Sequence, residues 1–283
     1  MNDLISIGMP VYNEDKYIAS SIDSILNQDY SNIELIICDN ASSDKTEEIC
    51  RQYQKNDDRI QYYRNTHNIG AIANFQKSLN YANGKYFMFA GGHDKWSLNY
   101  ISTNLIKLKN SPNSVLSYGA TEWIDEEGLA LNTQSAAYDT RGLDPVTRYL
   151  LSIWGGTWSP VYGLIRVESL RKVRLNTPTI GSDIIMLSEL SLIGSFIYTE
   201  NCCWFRRMTR PHETKSERIE RYNSSLFRMT NVLSQFFPHI RLPFELIKSI
   251  IRSELTFIHK SCAIMLTLTT SPIKYFISNQ DNK

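Results

Sequence analysis

The chain has 283 residues, with 30 Lys+Arg against 29 Asp+Glu, 42% hydrophobic and 21% charged residues, the composition of an ordinary globular protein. A formal net charge of +1 supplies no global field to hold a phosphate polymer, which argues against nucleic acid as a partner. The length allows one large domain or a domain with an appendage, and no segment repeats with a solenoid period. The neutral sum hides an asymmetry. Residues 206–260 hold 11 Lys+Arg and 5 Asp+Glu, whereas residues 1–205 hold 17 and 23, so an acidic body precedes a basic tail that could orient on an anionic surface.

The N-terminal MNDLISIGMPVY carries Asp3, no basic stretch and Pro10, and reads as a strand instead of a signal peptide. Nothing approaches the roughly 18 uninterrupted apolar residues of a membrane-spanning helix. The five cysteines, Cys38, Cys50, Cys202, Cys203 and Cys262, lack paired metal spacing and are expected to be reduced thiols of a cytoplasmic protein.

Along the chain, Leu4–Met9 is a short apolar run closed by Pro10, and Asp15–Leu26 places Tyr17, Ile18, Ile22, Ile25 and Leu26 at helical spacing. Ile33–Cys38 reads as a buried strand. Ser42, Ser43 and Asp44, with Glu47 beyond, supply cap chemistry for a helix to about Gln54. A strand over Arg59–Arg64, a helix over Ala71–Tyr81 and a strand over Lys85–Ala90 follow. Strands separated by helices of this length predict right-handed crossovers and a mostly parallel sheet. Beyond Trp96 the pattern loosens into a helix (Tyr100–Leu108), a strand (Val115–Tyr118), a hairpin near Asp125–Gly128 and a Gly/Trp-rich loop (Trp154–Trp158). An amphipathic helix from Ser182 to Leu192, a strand over Phe196–Phe205 and helices from about Ser216 to Phe276, interrupted at Pro238 and Pro243, complete the chain.

Open α/β sheets bind ligands beyond the carboxyl ends of their strands. The polar clusters there are Tyr12–Glu14, Asp39–Asn40, Asn65–Gly70 and Gly91–Asp94. In their order and spacing, MPVYNE, the Asp39-Asn-Ala-Ser-Ser-Asp stretch, NTHNIG and GKYFMFAGGHD resemble family 2 glycosyltransferases of the GT-A fold. The resemblance covers roughly residues 3–210 and is strongest over 3–97. It implies a GT-A catalytic domain over 1–210, with a donor half (1–97) and an acceptor half (98–210), followed by a basic helical extension over 211–283. It also implies a nucleotide-diphospho-sugar donor, an acceptor hydroxyl, inversion at the anomeric carbon and a divalent cation, Mn²⁺ or Mg²⁺.

By the same resemblance, Pro10, Tyr12, Glu14 and Asp39 hold the nucleoside. A carboxylate suits a pyrimidine because it accepts the ring imide N–H, although Asp39 also fits a turn-capping role. Asn68 and Gly70 precede a helix N-terminus that favours the diphosphate. At Gly91-Gly92-His93-Asp94 the sequence departs from the family's acidic motif: glycine replaces one acid and His93 another, leaving Asp94. Oxygen suits hard cations and Mn²⁺ also accepts imidazole, so His93 and Asp94 are the expected metal ligands, with His212 a third. Asp183, heading a helix, matches the family's general base. Arg206 and Arg207 resemble a basic loop that closes over the diphosphate, and Trp154–Trp158 offers either sugar stacking with a mobile lid or core packing.

The tail mixes Arg218, Arg221, Arg228, Arg241, Lys248, Arg252 and Lys260 with apolar residues at helical spacing. Peripheral attachment at the inner face of the cell membrane, packing on the catalytic domain and a homodimer contact all fit this pattern. The leading expectation is an inverting transferase, using a UDP-sugar and a glycan or lipid-linked acceptor in surface polysaccharide synthesis. A nucleotide-sugar-binding protein without turnover is the alternative, on the strength of the eroded acidic motif. A sugar-nucleotide pyrophosphorylase lacks its Gly-rich, basic loop, and a dehydrogenase lacks GxGxxG after the first strand.

Overall fold

The computed structural model describes residues 3–175, 177, 181–209 and 241–280. In chain order these form β1 (Ile5–Val11), α1 (Ile18–Leu26), β2 (Ile33–Asp39), α2 (Thr46–Asn56), β3 (Ile60–Arg64), α3 (Ala71–Asn80), β4 (Tyr86–Phe89), β5 (Lys95–Trp96), α4 (Tyr100–Lys109), β6 (Ser114–Ile124) and β7 (Ala130–Gln134). Then follow α5 (Pro145–Trp154), a 3-10 turn (Ser159–Tyr162), β8 (Leu164–Arg166), α6 (Val167–Leu170), α7 (Ser182–Ile193), β9 (Ser195–Arg207), α8 (Arg241–Arg252) and α9 (Phe257–Gln280).

Of the first four strands, β1, β2 and β4 are near-continuous apolar runs, as a sheet covered on both faces requires, whereas β3 at the sheet edge alternates between buried and part-exposed residues. They pair in parallel in the order β3-β2-β1-β4, and the sheet continues β8-β6-β9-β5, with β7 on β6. β8 is antiparallel to both β4 and β6, and β9 is parallel to β6. Two reversals cancel, so β6 and β9 point the same way as β1. The carboxyl ends of β1 to β4, β6 and β9 therefore share one edge. Only Gly194 separates α7 from β9, so α7 runs back along the strand and its N-terminus lies at that same edge.

The core lies in two layers. Ile5, Ile7 and Met9 of β1 pack with Ile18, Ile22 and Ile25 of α1 and with α4 on one face; Phe87 and Phe89 pack with Leu116, Met186, Leu187 and Leu190 on the other. Close approach is built in at Gly8, where a Cβ would stand 2.4 Å from Phe87 Cζ and 2.6 Å from Ser78 Oγ. A third cluster joins Tyr149 and Ile153 of α5 and Ile184 and Ile185 of α7 to Leu246, Ile250 and Ala263 of the C-terminal helices.

Several elements depart from expectation. α5 occupies a segment that the sequence reading leaves unassigned, although Asp144 caps it by accepting from the Val146 and Thr147 amides and Pro145 opens its first turn. α7 is buried from Ile184 to Leu192 instead of amphipathic, because α5 and α8 together cover its outer side. Pro243 sits in the first turn of α8, where a missing N–H costs nothing, and does not interrupt it. The expected helical stretch from Ser216 to residue 240, with Pro238, lies outside the described residues.

Candidate active site

The loop after β1 is pinned by the loop after β2. The Asn13 amide donates to Ser42 Oγ (3.0 Å), the Ser43 amide to Asn13 Oδ1 (2.9 Å), the Glu14 amide to Thr46 Oγ1 (2.8 Å) and the Asp15 amide to Asp44 Oδ2 (3.0 Å). Asn13 (φ 55°) and Ala41 (φ 62°) both adopt left-handed backbone here. Such strain persists only where neighbours hold it, and it collects at functional sites. Pro10 ends the run of buried residues in β1, and Tyr12 stands 46% exposed just past the carboxyl end of that strand. Asp39 is in register with Val11 and Arg64 and fully buried. Its carboxylate accepts the Ser42 amide (2.8 Å) and the Tyr62 hydroxyl (2.6 Å), with Arg64 Nε at 3.6 Å. Burial, then the adjacent carboxylate, pushes the Tyr62 phenol far above its ordinary value, so the hydroxyl stays a donor.

Beside it stands a network of asparagines. Asn40 Nδ2 donates to Asn68 Oδ1 (2.8 Å), Asn65 Nδ2 to Asn40 Oδ1 and Asn74 Oδ1 (3.0 Å each), and Asn74 Nδ2 to the Cys38 carbonyl (2.7 Å). Asn68 Oδ1 also accepts the Gly70 amide (2.9 Å). Gly70 has φ 86° and heads α3, so Asn68 and Gly70 set the angle at which that helix enters the site.

The third part is the Gly91–Asp94 turn. A Cβ on Gly91 would lie 2.7 Å from Asp94 Oδ2, and one on Gly92 would lie 2.9 Å from Val11 Cγ1; the two glycines let the turn close against its own carboxylate and β1. His93 Nδ1 meets Glu14 Oε1 at 3.0 Å, and its Nε2 lies 3.9 Å from Asp94 Oδ1. Asp94 is 1% exposed. Burial raises its carboxyl above the ordinary range, against the pull of His93 and of the Arg207 amide, which donates to Oδ1 at 2.9 Å.

Arg207 is itself buried. Nε donates to the His93 carbonyl (2.9 Å) and Nη1 to those of Asp125 (2.9 Å) and Glu126 (2.7 Å), while the guanidinium lies 4.6 Å over the Tyr17 ring. This arginine braces the Asp94 turn from within the fold, which differs from the expected basic loop closing over a ligand. Arg206 stacks on Trp123 (4.3 Å) and Trp204 (5.7 Å).

Asp183 lies in the first turn of α7, half-buried, with Oδ1 accepting the Ile184 amide at 3.0 Å, and shares the strand-end edge with the three clusters above. Trp154 Nε1 donates to Thr270 Oγ1 at 3.2 Å, and Trp154 and Trp158, both partly buried, pack against the third core cluster. Of the two readings of that loop, core packing describes both tryptophans. His212 lies outside the described residues. Sequence reasoning assigned no role to the strained Asn13 and Ala41, to Asn40, Asn65 and Asn74 of the asparagine network, or to Tyr62 and Arg64. Asn13, Asn40, Ala41, Arg64 and Asn65 lie at or just past strand ends, which was the one signal available; Tyr62 in the middle of β3 and Asn74 within α3 had none.

Among the described residues no group of three or more His, Cys, Asp and Glu side chains is arranged to hold a metal. His93 and Asp94 are a two-donor set, with the imidazole oriented through its other nitrogen by Glu14 as metal-binding histidines commonly are. A cation held by this pair would have to reach the buried Asp94 carboxylate and take its remaining ligands from a diphosphate and water.

Comparison with known proteins agrees with this architecture. The structure superposes on TarS (residues 1–349) of S. aureus in complex with UDP-GlcNAc with a TM-score of 0.67 at 14% identity, covering 94% of this chain and 71% of that one. It superposes on mannosyltransferase PcManGT from Pyrobaculum calidifontis, in complex with GDP-Man and Mn²⁺, with a TM-score of 0.54 at 14% identity, covering 96% and 86%. The fold is thus GT-A. The family model for glycosyl transferase family 2 matches residues 6–174, and the chain belongs to that family. It is 35% identical over 127 residues to UDP-Glc:alpha-D-GlcNAc-diphosphoundecaprenol beta-1,3-glucosyltransferase WfgD of Escherichia coli, covering 44% of this chain and 49% of the relative. It is 34% identical over 130 residues to an uncharacterized glycosyltransferase of Methanocaldococcus jannaschii, covering 45% of each. The matched stretches span about half the length of these relatives.

Proposed function

We propose that this protein transfers a sugar from a UDP-sugar to an acceptor hydroxyl with inversion, in the synthesis of a surface polysaccharide on a glycan or lipid-linked acceptor. The observation that carries the reading is the placement, at one sheet edge, of the exposed Tyr12 and the buried Asp39 at the ends of β1 and β2, a turn bearing His93 and Asp94, and a helix N-terminus bearing Asp183. The diphosphoundecaprenol acceptor in the name of the E. coli relative and the UDP-GlcNAc bound to TarS support the substrate classes. In this reading residues 1–97 bind the donor and 98–210 the acceptor.

Tyr12 stacks on the base and Asp39 orients it, while Pro10 and Glu14 shape the pocket wall. Asn68 and Gly70 aim the amides of α3 at the diphosphate. Asp94 and His93, braced by Arg207, would hold a divalent cation, with His212 a third candidate; bound there, the cation neutralises the charge of the departing diphosphate. Asp183 accepts the proton of the acceptor hydroxyl as its oxygen bonds to the anomeric carbon from the face opposite the leaving UDP, whose bond to that carbon breaks.

The test is donor consumption with UDP-glucose and UDP-GlcNAc over a panel of acceptors, with and without EDTA. Transfer should stop with EDTA and fall at least about 100-fold in Asp183→Ala, with UDP binding retained; full transfer by Asp183→Ala would remove it as the base. The reduced acidic motif favours one other reading, a nucleotide-sugar-binding protein without turnover. UDP binding with no donor ever consumed would establish it.

The C-terminal helices support a peripheral contact with an anionic inner-leaflet surface. Phe244 (62% exposed) and Ile251 (57%) on α8 continue into Phe257 (83%), Ile258, Met265 and Leu268 on α9. Lys248 and Arg252, both exposed, lie beside the α8 pair. A two-fold contact between copies through this face would set these cations against themselves, which favours an anionic lipid surface over a homodimer. Among the described residues no helix is long and apolar enough to cross a membrane.

A further inference from the structure

Arg174 ends the last segment before residues 175–181, the stretch that leads into Asp183, and it is held by a helix some 70 residues away in sequence. Its backbone N–H donates to Glu189 Oε2 (2.7 Å) and its Nε to Glu189 Oε1 (2.6 Å). Nη1 donates to Glu245 Oε2 (2.6 Å), and Nη2 to the Glu245 carbonyl (2.9 Å) and Ser249 Oγ (2.7 Å). Ser249 Oγ closes the circuit onto Glu189 Oε1 at 2.8 Å. The side chains of Arg174, Glu189 and Glu245 are 17%, 10% and 6% exposed. Glu189 lies on α7, and Glu245 and Ser249 on α8.

The same α8 meets the other end of the stretch. Gly181 has φ +85°, and a Cβ there would lie 3.4 Å from Leu242 Cδ2 and 3.0 Å from Ile184 Cδ1. Leu246 and Ile250 share a cluster with Ile184 and Ile185, the two residues after Asp183. A buried ion network adds little stability over well-packed apolar residues of the same volume, but its directional bonds accept one geometry. Here that geometry fixes where the 175–181 stretch begins and how α7 is turned.

We propose that α8 is a positioning element of the acceptor side of the site: the Arg174–Glu189–Glu245–Ser249 clasp and Leu242 grip the two ends of the 175–181 segment and set the placement of Asp183. The proposal rests on the reading of Asp183 as the base. None of these residues touches the donor cleft, so the effect belongs to turnover and not to nucleotide affinity.

The test uses the full chain carrying Glu245→Gln, Arg174→Lys or, independent of the charges, Leu242→Ala, with Asp183→Asn in parallel. UDP affinity, kcat with UDP-glucose or UDP-GlcNAc, and backbone amide exchange are measured. The expected result is UDP affinity within twofold of wild type, kcat lower by about 10- to 100-fold, and faster exchange over 181–185 with exchange over 5–96 unchanged. Cooperatively melting variants with wild-type kcat, or with unchanged exchange over 181–185, overturn the proposal, as does a loss of UDP affinity in step with kcat. If Asp183→Asn is inactive while the clasp variants turn over normally, the clasp alone is wrong. If Asp183→Asn keeps wild-type kcat, the base and the clasp fall together.

Discussion

Arg207 shows how one side chain takes a role that its sequence neighbourhood does not announce. An arginine at the end of a strand, in a segment rich in cations, invites a phosphate-binding reading. In the fold its guanidinium serves the carbonyls of His93, Asp125 and Glu126, and its amide serves Asp94. A lysine ammonium offers no planar fork and cannot reach all three carbonyls at once. Arg207→Lys should therefore lower stability by about 1–3 kcal/mol, the cost of leaving buried acceptors unpaired, and urea unfolding with and without UDP measures it. An unchanged midpoint would mean that the brace is dispensable. Asp39, Asn68, Gly70 and Asp94 were visible beforehand because each follows a legible strand. The bonds that fix them, from Tyr62 to Asp39, Asn40 to Asn68 and Asn74 to the Cys38 carbonyl, were not, since hydrogen bonds across 23 to 36 positions leave no local pattern.

At the scale of elements, the first half of the sheet was readable because β1, β2 and β4 are apolar runs and β3 alternates, all separated by capped or periodic helices. β5 and β8 are two and three residues long, too short for any periodicity, and exist only because β9 and β4 offer them partners. α5 could have been found from Asp144-Pro145, a capping residue followed by a first-turn proline; the adjacent Gly/Trp loop drew the reading away. Packing between elements is close at Gly8, where β1 passes α3 and β4. Gly8→Ala places a methyl within 2.4 Å of Phe87 Cζ and 2.6 Å of Ser78 Oγ. The overpacking should cost about 1–3 kcal/mol and lower Tm equally with and without UDP. A variant as stable as wild type would show that Phe87 yields freely.

Over the whole molecule, the near-zero net charge resolves into an acidic body holding the candidate donor cleft and a basic C-terminal part. Within that part, α8 has two faces with different work. One carries Glu245, Leu246, Ser249 and Ile250 inward onto α7; the other presents Phe244 and Ile251 beside Lys248. If the outer face meets anionic lipid, the protein should float with phosphatidylglycerol-containing vesicles at low salt. Flotation should weaken sharply near 1 M salt, where the screening length falls to about 3 Å, and in Phe257→Ser combined with Lys248→Glu. No flotation at low salt would remove the idea. The sequence by itself determined the alternating architecture and the strand-end clusters, because strand and helix periodicity and turn chemistry are local properties. It determined the family resemblance through the spacing of four motifs. Only the tertiary structure decided that α7 is buried on every side, that Arg207 is a brace, and that α8 holds both ends of the segment leading to Asp183. Those outcomes depend on which surfaces meet across 60 to 114 residues of chain, and burial at such separations is set by packing, which no local pattern encodes.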